Sequence, residues 1–201
     1  MNGKRAPMTN PYDTELRLLA YTHQITLIRK LGPRTVLNIG KGTGFLKKYF
    51  ESNNVRLEDL DIDPDTRPDY LQDLSIPFDL AREFDLVCAF QVLEHIPFDA
   101  FETGLSNIRH HTKSSALVAL PIQTLRFGIR VDFPLLKLDY LAWFERAFKK
   151  KPDEALPQWE IGLQKTPKKA VDEKIRKFFH IREQFLHRLN PFHYYYVLEK
   201  K

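Results

Sequence analysis

The sequence predicts an α/β fold: one doubly wound, mostly parallel sheet in a single domain over residues 1–201. Three observations carry this. Apolar runs of strand length alternate with helical stretches as far as Leu120. Two of those runs, FDLVCAF (84–90) and SALVAL (115–120), are almost continuously apolar, as strands are when helices cover both faces of a sheet. A cluster of three glycines, VLNIGKGTGFL (36–46), stands where a strand hands over to a helix.

Residues 13–31 carry Leu16, Leu19, Ala20, Ile25 and Ile28 at helical spacing, and Gly32-Pro33 ends that helix. Thr35–Ile39 is a short strand, followed by a helix from Thr43 to about Phe50. Arg56–Asp61 is a second strand, ended near Pro64, with a weak extended piece at Tyr70-Leu71. Phe84–Phe90 is a strand, Phe98–His111 a helix and Ser115–Leu120 a strand closed by Pro121. Residues 122–168 break the rhythm with Pro134, Pro152, Pro157 and Pro167. Leu141, Phe144 and Phe148 at i, i+3 and i+7 predict an amphipathic helix over Leu138–Phe148. A helix over Pro167–Phe179 and two closing strands, His180–Arg188 and His193–Leu198, complete the chain.

Composition sets the outer limits. Hydrophobic content of 43% and charged content of 28% are those of an ordinary globular protein. No run approaches the ~18 apolar residues of a spanning helix, and the first residues, MNGKRAPMTNPYD, do not read as a secretory signal. The single cysteine, Cys88, lies in an apolar strand and excludes an intrachain disulfide. Together these features place the protein in a reducing cytoplasm. Charge is uneven: residues 1–100 hold 12 Lys+Arg against 15 Asp+Glu, and residues 101–201 hold 19 against 11. A basic C-terminal half suits nucleic acid, an anionic membrane or an anionic small molecule, or is simply a solvated face.

A glycine turn between a parallel strand and its helix brings backbone close to a ligand at the carboxyl edge of the sheet, where the helix N-terminus favours polar groups. The spacing identifies the ligand. A dinucleotide fingerprint needs glycine at position 45, which is Phe. A phosphate-binding loop needs Lys-Ser or Lys-Thr after its last glycine, and these are absent. What stands is G-x-G-x-G, over Gly40, Lys41, Gly42, Thr43 and Gly44.

VLNIGKGTG resembles the first motif of class I S-adenosylmethionine (SAM)-dependent methyltransferases. DIDP places Asp61, followed by Ile62, 21 residues after Gly40, at the position that holds the ribose hydroxyls in that family. DYLQDLSIPF (69–78) resembles the stretch bordering the adenine, with Asp73 toward the exocyclic amine and Leu74 against the ring. FDLVCAFQVLEHI (84–96), with Phe90 and Gln91, resembles the fourth-strand motif, and NPFHYYYVL (190–198) the antiparallel last strand. The resemblance implies seven strands with the last antiparallel, and an insertion after the fifth. Around an N-terminal helix at 13–31 it implies a cofactor-binding core at 32–121, an insertion and substrate region at 122–168, and a C-terminal helix and hairpin at 169–199. It implies SAM as cofactor and S-adenosylhomocysteine as product.

One position departs from the pattern. The family usually has Asp or Glu at position 38, holding the methionine-derived amino group; here it is Asn38, which can accept a hydrogen bond but carries no charge. A compensating acid nearby is one expectation, and a non-catalytic scaffold with the same fold is an alternative function.

Methyl transfer needs alignment of nucleophile, carbon and sulfur, and a base only if the acceptor must lose a proton. His95, just beyond the fourth strand, is the candidate base; local packing is the other reading. No metal is expected, because Gln91 replaces the first Glu of the Glu-x-x-Glu-His pattern that metal-dependent relatives use. Trp159 and Glu160 are candidates for the acceptor pocket, or for local packing, and Tyr12 and His23 for a lid over the cofactor, or for an ordinary amphipathic helix. Residues 122–151, with seven basic and three acidic residues, are read as a substrate lid, a membrane-surface helix or a helix packed on the sheet. The expected acceptor is a small molecule or glycan-type compound. RNA is a disfavoured alternative, because no NPPY-like tetrapeptide follows the fourth strand.

Overall fold

In the computed structural model, which describes residues 14–133, 136–144, 157–187 and 190–201, seven strands form one sheet in the order β3-β2-β1-β4-β5-β9-β8. The strands are β1 (Thr35–Ile39), β2 (Arg56–Asp61), β3 (Tyr70–Leu71), β4 (Phe84–Phe90), β5 (Thr112–Pro121), β8 (Phe179–Leu186) and β9 (His193–Lys200). Pairing is parallel from β3 to β5; β9 runs antiparallel to both of its neighbours, β5 and β8. The antiparallel strand is thus the last in sequence and lies one place in from the edge. Two further strands, β6 (Leu125–Phe133) and β7 (Leu136–Phe144), form a separate hairpin.

Side-chain alternation on the central strands supplies both faces. Leu37 and Ile39 of β1, Val87 and Ala89 of β4, and Ala116, Val118 and Leu120 of β5 pack against α3 (Phe101–His110) and α4 (Lys168–Phe178). Val36, Leu86, Cys88, Leu117 and Ala119 point to the other face, against α1 (Glu15–Leu31) and α2 (Phe45–Phe50). Continuous apolar runs in β4 and β5 follow from this double cover. Thr14 caps α1, accepting the Arg17 N–H at 3.4 Å, and Gly32 ends it in the left-handed region. A buried ion pair, Lys168 to Asp172 at 2.6 Å, ties α4 to the sheet, because Tyr196 of β9 donates to the same carboxylate at 2.9 Å.

The helix expected over Leu138–Phe148 is overturned. Its described part is strand β7, paired with β6 from Leu125↔Phe144 to Phe133↔Leu136; residues 145–148 lie outside the described residues. Leu141 and Phe144 fit a helical face, but Leu136, Leu138, Tyr140, Ala142 and Phe144 also alternate, as do Leu125, Phe127, Ile129, Val131 and Phe133. Two alternating runs side by side pair along their whole length, whereas a helix over 138–148 would leave the run Leu125–Phe133 without a partner strand. Trp143 seats the hairpin on the main sheet, packing edge-on to Tyr194 at 5.8 Å. Among the described residues no helix is long and apolar enough to cross a membrane.

Candidate active site

The glycine turn leaves β1 at the carboxyl edge of the sheet. Gly40 takes φ 81°, and its N–H donates to Leu60 O at 2.7 Å. A Cβ on Gly40 would collide with Cγ2 of Val92, so the turn and the end of β4 are close enough that only glycine fits. Gly44, at φ 71°, starts α2, and Gly42 lies between them beside the Tyr21 hydroxyl.

Asp61 ends β2 beside this turn. The Lys41 N–H donates to Asp61 Oδ2 at 2.8 Å and the Asp63 N–H to Oδ1 at 3.1 Å. Two backbone donors fix the carboxylate, and each oxygen keeps a second lone pair. Lys41 Nζ reaches back to the Thr66 and Arg67 carbonyls at 2.5 and 2.7 Å, which holds the turn against the loop after β2. Ile62, next to Asp61, is exposed.

Asn38 is buried in β1 and pairs in register with Asp59 of β2. Its Nδ2 donates to Asp59 Oδ1 at 2.8 Å and weakly to Gly40 O at 3.4 Å. Asp59 is fully buried, and its Oδ2 has no hydrogen-bond partner among the described residues. Burial raises the Asp59 pKa, opposed by the Asn38 hydrogen bond and the charges of Lys47 and Lys41. The acid missing from position 38 is therefore present one strand across.

Asp73 forms a tight turn, accepting from the N–H and hydroxyl of Ser75 at 2.8 and 2.7 Å through Oδ1. Leu74 is buried and packs toward Gly104 of α3, so it joins the core beneath this edge. Phe90 ends β4 against Tyr195 at 6.4 Å. Gln91 takes φ 57°, a strained conformation for a non-glycine residue. Its N–H donates to Ala119 O at 2.9 Å, and its Nε2 is buried without a partner among the described residues.

A 3₁₀ turn, Leu93–His95, follows. His95 is exposed at the same edge, and desolvation lowers its pKa, so the ring is neutral at pH 7. Glu94 is only 2% exposed, and its Oε2 has no partner among the described residues. Burial first, then the charge of Glu160, pushes the Glu94 carboxyl up to about 8. Glu160 accepts from Gln123 Nε2 at 2.6 Å. Gln91, Glu94, His95, Gln123 and Glu160 thus converge beyond the ends of β4 and β5.

Trp159, a candidate for the acceptor pocket or for local packing, packs in the core. It is 3% exposed, donates through Nε1 to Ile96 O at 3.0 Å, and packs against Phe98 and Phe101 at 5.0 Å each. His23, a candidate for a lid or for an ordinary amphipathic helix, faces the C-terminal strands: its ring lies 4.2 Å from that of His187 and 4.8 Å from that of Tyr195. Tyr12 lies outside the described residues. The residue of α1 that meets the glycine turn is Tyr21, whose ring stacks on Phe45 at 4.8 Å and whose hydroxyl lies 3.2 Å from that of Thr43. Sequence reasoning missed Tyr21, because the rotation of α1 about its axis is set by packing. It also missed Asp59, although strand alternation puts residues 59 and 61 on one face of β2.

The residues fit a SAM-type group. The glycine turn is a cradle that a Cβ would fill, Asp61 is a carboxylate fixed with acceptor capacity to spare, and Gln91 Nε2 and Asp59 Oδ2 are buried polar atoms without partners. Asp79, His110 and His111 are the one group of possible metal ligands among the described residues, with ligand atoms within 4.8 Å of one another. They lie by the amino ends of β4 and β5, at the opposite edge. Both ring nitrogens of His111 are taken there, Nε2 by the Leu80 N–H at 3.0 Å and Nδ1 by Asn107 O at 2.8 Å, so that group is not a metal site as it stands.

No family model matches the chain, and no curated protein matches it either. Solved structures do. The glycopeptide N-methyltransferase MtfA, complexed with S-adenosyl-L-methionine, aligns over 98% of this chain and 99% of its own with a TM-score of 0.62 and 14% identity. The N-methyltransferase NodS from Bradyrhizobium japonicum, in complex with S-adenosyl-L-homocysteine, aligns over 94% and 89%, with a TM-score of 0.59 and 12% identity. A TehB-like SAM-dependent methyltransferase from Corynebacterium glutamicum aligns over 92% and 94%, with a TM-score of 0.58 and 19% identity. The fold is that of the class I SAM-dependent methyltransferases.

Proposed function

We propose that the chain is a SAM-dependent methyltransferase whose acceptor is a small molecule or glycan-type compound. The observation that carries this reading is Asp61, fixed at the end of β2 by the N–H groups of Lys41 and Asp63, with lone pairs left for two ribose hydroxyls. The company the fold keeps supports it: MtfA is a glycopeptide N-methyltransferase and NodS an N-methyltransferase, each solved with SAM or its product.

When bound, SAM supplies a methyl group already activated on a sulfonium, so the protein's work is orientation and exclusion of water. Gly40, Lys41, Gly42 and Gly44 offer backbone at close range. Asn38, held by Asp59, offers an amide oxygen to the amino-acid end. Asp73 and Ile62 would border the base above the buried Leu74, and Phe90 and Gln91 end the strand beside it. At the acceptor side His95, its pKa lowered by desolvation, is the group we assign to take a proton from a hydroxyl acceptor. Glu160, with the buried carboxyl of Glu94 behind it, gives this side negative character.

Calorimetric titration with S-adenosylhomocysteine tests the reading. Micromolar binding to the wild type, lost in Asp61→Ala, is expected. No binding to the wild type overturns it in favour of a scaffold.

A further inference from the structure

Asp61 is held from two sides, and both holds run through Lys41. The first is direct: the Lys41 N–H donates to Asp61 Oδ2 at 2.8 Å. The second comes from the loop after β2, where the Asp63 N–H donates to Oδ1 at 3.1 Å. That loop is a 3₁₀ turn, Pro64–Thr66, with no buried residue. It is ordered within itself. The Asp63 carboxylate accepts from the Asp65 N–H at 2.9 Å, and Arg67, at φ 51°, donates its N–H to Pro64 O at 3.0 Å. Bonds of this local kind fix the shape of a loop rather than its place against the sheet. A loop with so little burial opens easily unless something ties it down.

The tie is the Lys41 ammonium. Nζ donates to Thr66 O at 2.5 Å and to Arg67 O at 2.7 Å, the carbonyls at the end of the turn. Both bonds are short and charge-assisted. The Lys41 carbonyl also accepts the Gly44 N–H at 3.0 Å, so glycine turn, carboxylate and loop meet on one residue. We infer that Lys41 is a positioning residue for the ribose: its ammonium keeps the loop after β2 in place, so the Asp63 donor stays on Asp61 and the carboxylate is held ready for two hydroxyls. This rests on the reading of Asp61 as the ribose acceptor. Loss of the ammonium loosens the Asp63 side of the carboxylate while the backbone bond from Lys41 remains, and the carboxylate is then free to turn. The effect falls on the hydroxyls, because Asp73, assigned to the base, belongs to a separate turn closed by Ser75.

The test is Lys41→Met, which keeps the backbone N–H and most of the stem. The carbonyls it frees lie in a turn without buried residues and can take water, so the melting temperature is expected to hold. Adenosine and 2′,3′-dideoxyadenosine, titrated in turn, differ only in the ribose hydroxyls. The wild type is expected to prefer adenosine, and the variant to lose about tenfold of that preference, the scale of one charge-assisted hydrogen bond. In the free protein the Asp63 amide is expected to exchange with deuterium faster in the variant. An unchanged preference overturns the proposal, as does unchanged exchange at Asp63. An equal loss of affinity for both nucleosides also overturns it, since Lys41 then only shapes the turn. Failure of the cofactor reading looks different: a wild type that binds neither S-adenosylhomocysteine nor adenosine, or that binds the two nucleosides equally, removes the ribose contact itself.

Discussion

Across the β1–β2 ladder, the amide of Asn38 donates to the carboxylate of Asp59 at 2.8 Å. The direction of that bond matters. An ionised carboxylate only accepts, so Asp59 forces Asn38 to present its NH₂ toward β2 and fixes which end of the amide is left to accept. Asp59→Asn removes this lock, because a second amide can satisfy Asn38 in either orientation. Affinity for S-adenosylhomocysteine is expected to fall by about tenfold, the scale of one charge-assisted hydrogen bond. Affinity for 5′-methylthioadenosine, which lacks the amino-acid end, should hold, and a parallel loss of both ligands would mean that Asp59 only supports the strand.

Gly40→Ala combines two costs. The left-handed φ of 81° disfavours a Cβ, and the Cβ meets Val92. Together these should cost about 2–4 kcal/mol of stability. Adding Val92→Ala removes the collision but not the backbone penalty. The double variant is therefore expected to melt between Gly40→Ala and the wild type, once the cost of the Val92 truncation, measured alone, is subtracted.

Three histidines between α1 and the β8–β9 hairpin make acid destabilising. Burial, then the neighbouring His187, lowers the His23 pKa from 6.5 to about 4, and burial, then Arg17 and His187, does the same for His193. Burial also lowers His187. The folded state then binds fewer protons than the unfolded chain between about pH 6.5 and 4. Stability from this cluster is complete above 6.5 and declines as pH falls toward 4. Urea midpoints across that range should drop, and His23→Leu should drop less steeply.

Glu94 has the opposite sign. Its carboxyl is raised from 4.5 to about 8, so the folded state holds a proton that the unfolded chain releases. Stability from this group is therefore present below about 4.5 and lost as pH rises toward 8. Glu94→Gln cannot titrate. The urea midpoint of the variant relative to wild type should climb steadily from pH 5 to pH 8, and a flat difference would show that Glu94 is ionised in the folded protein.

Sequence carried the parallel core because its signals are local and redundant. The glycine turn, Asp61 and the apolar runs of β4 and β5 each point to the same sheet edge, and the observed strands agree with them within a few residues. The β6–β7 hairpin was illegible for a physical reason. Phe144 fits both periods and Leu141 only the helical one, and pairing with Leu125–Phe133, the strand just before it, decides between them. Trp159 stays open in sequence because a large aromatic after β5 suits a pocket or a core equally well until Phe98 and Phe101 are seen around it. Asn38 points in sequence to weaker binding or to a compensating acid nearby, and naming that acid as Asp59 requires the β1–β2 register, which no local pattern encodes.

The position of β9 has a consequence for how the chain is made. β8 pairs with β9 and not with β5, so the outer edge of β5 stays open until residues 193–200 have emerged from the ribosome. An open edge on an apolar strand such as Ala116–Leu120 is a template for pairing with other chains. During synthesis the nascent sheet therefore passes through a stage in which its parallel half is assembled and sticky. Loss of the last eight strand residues would hold it there, leaving both β5 and β8 without their shared neighbour.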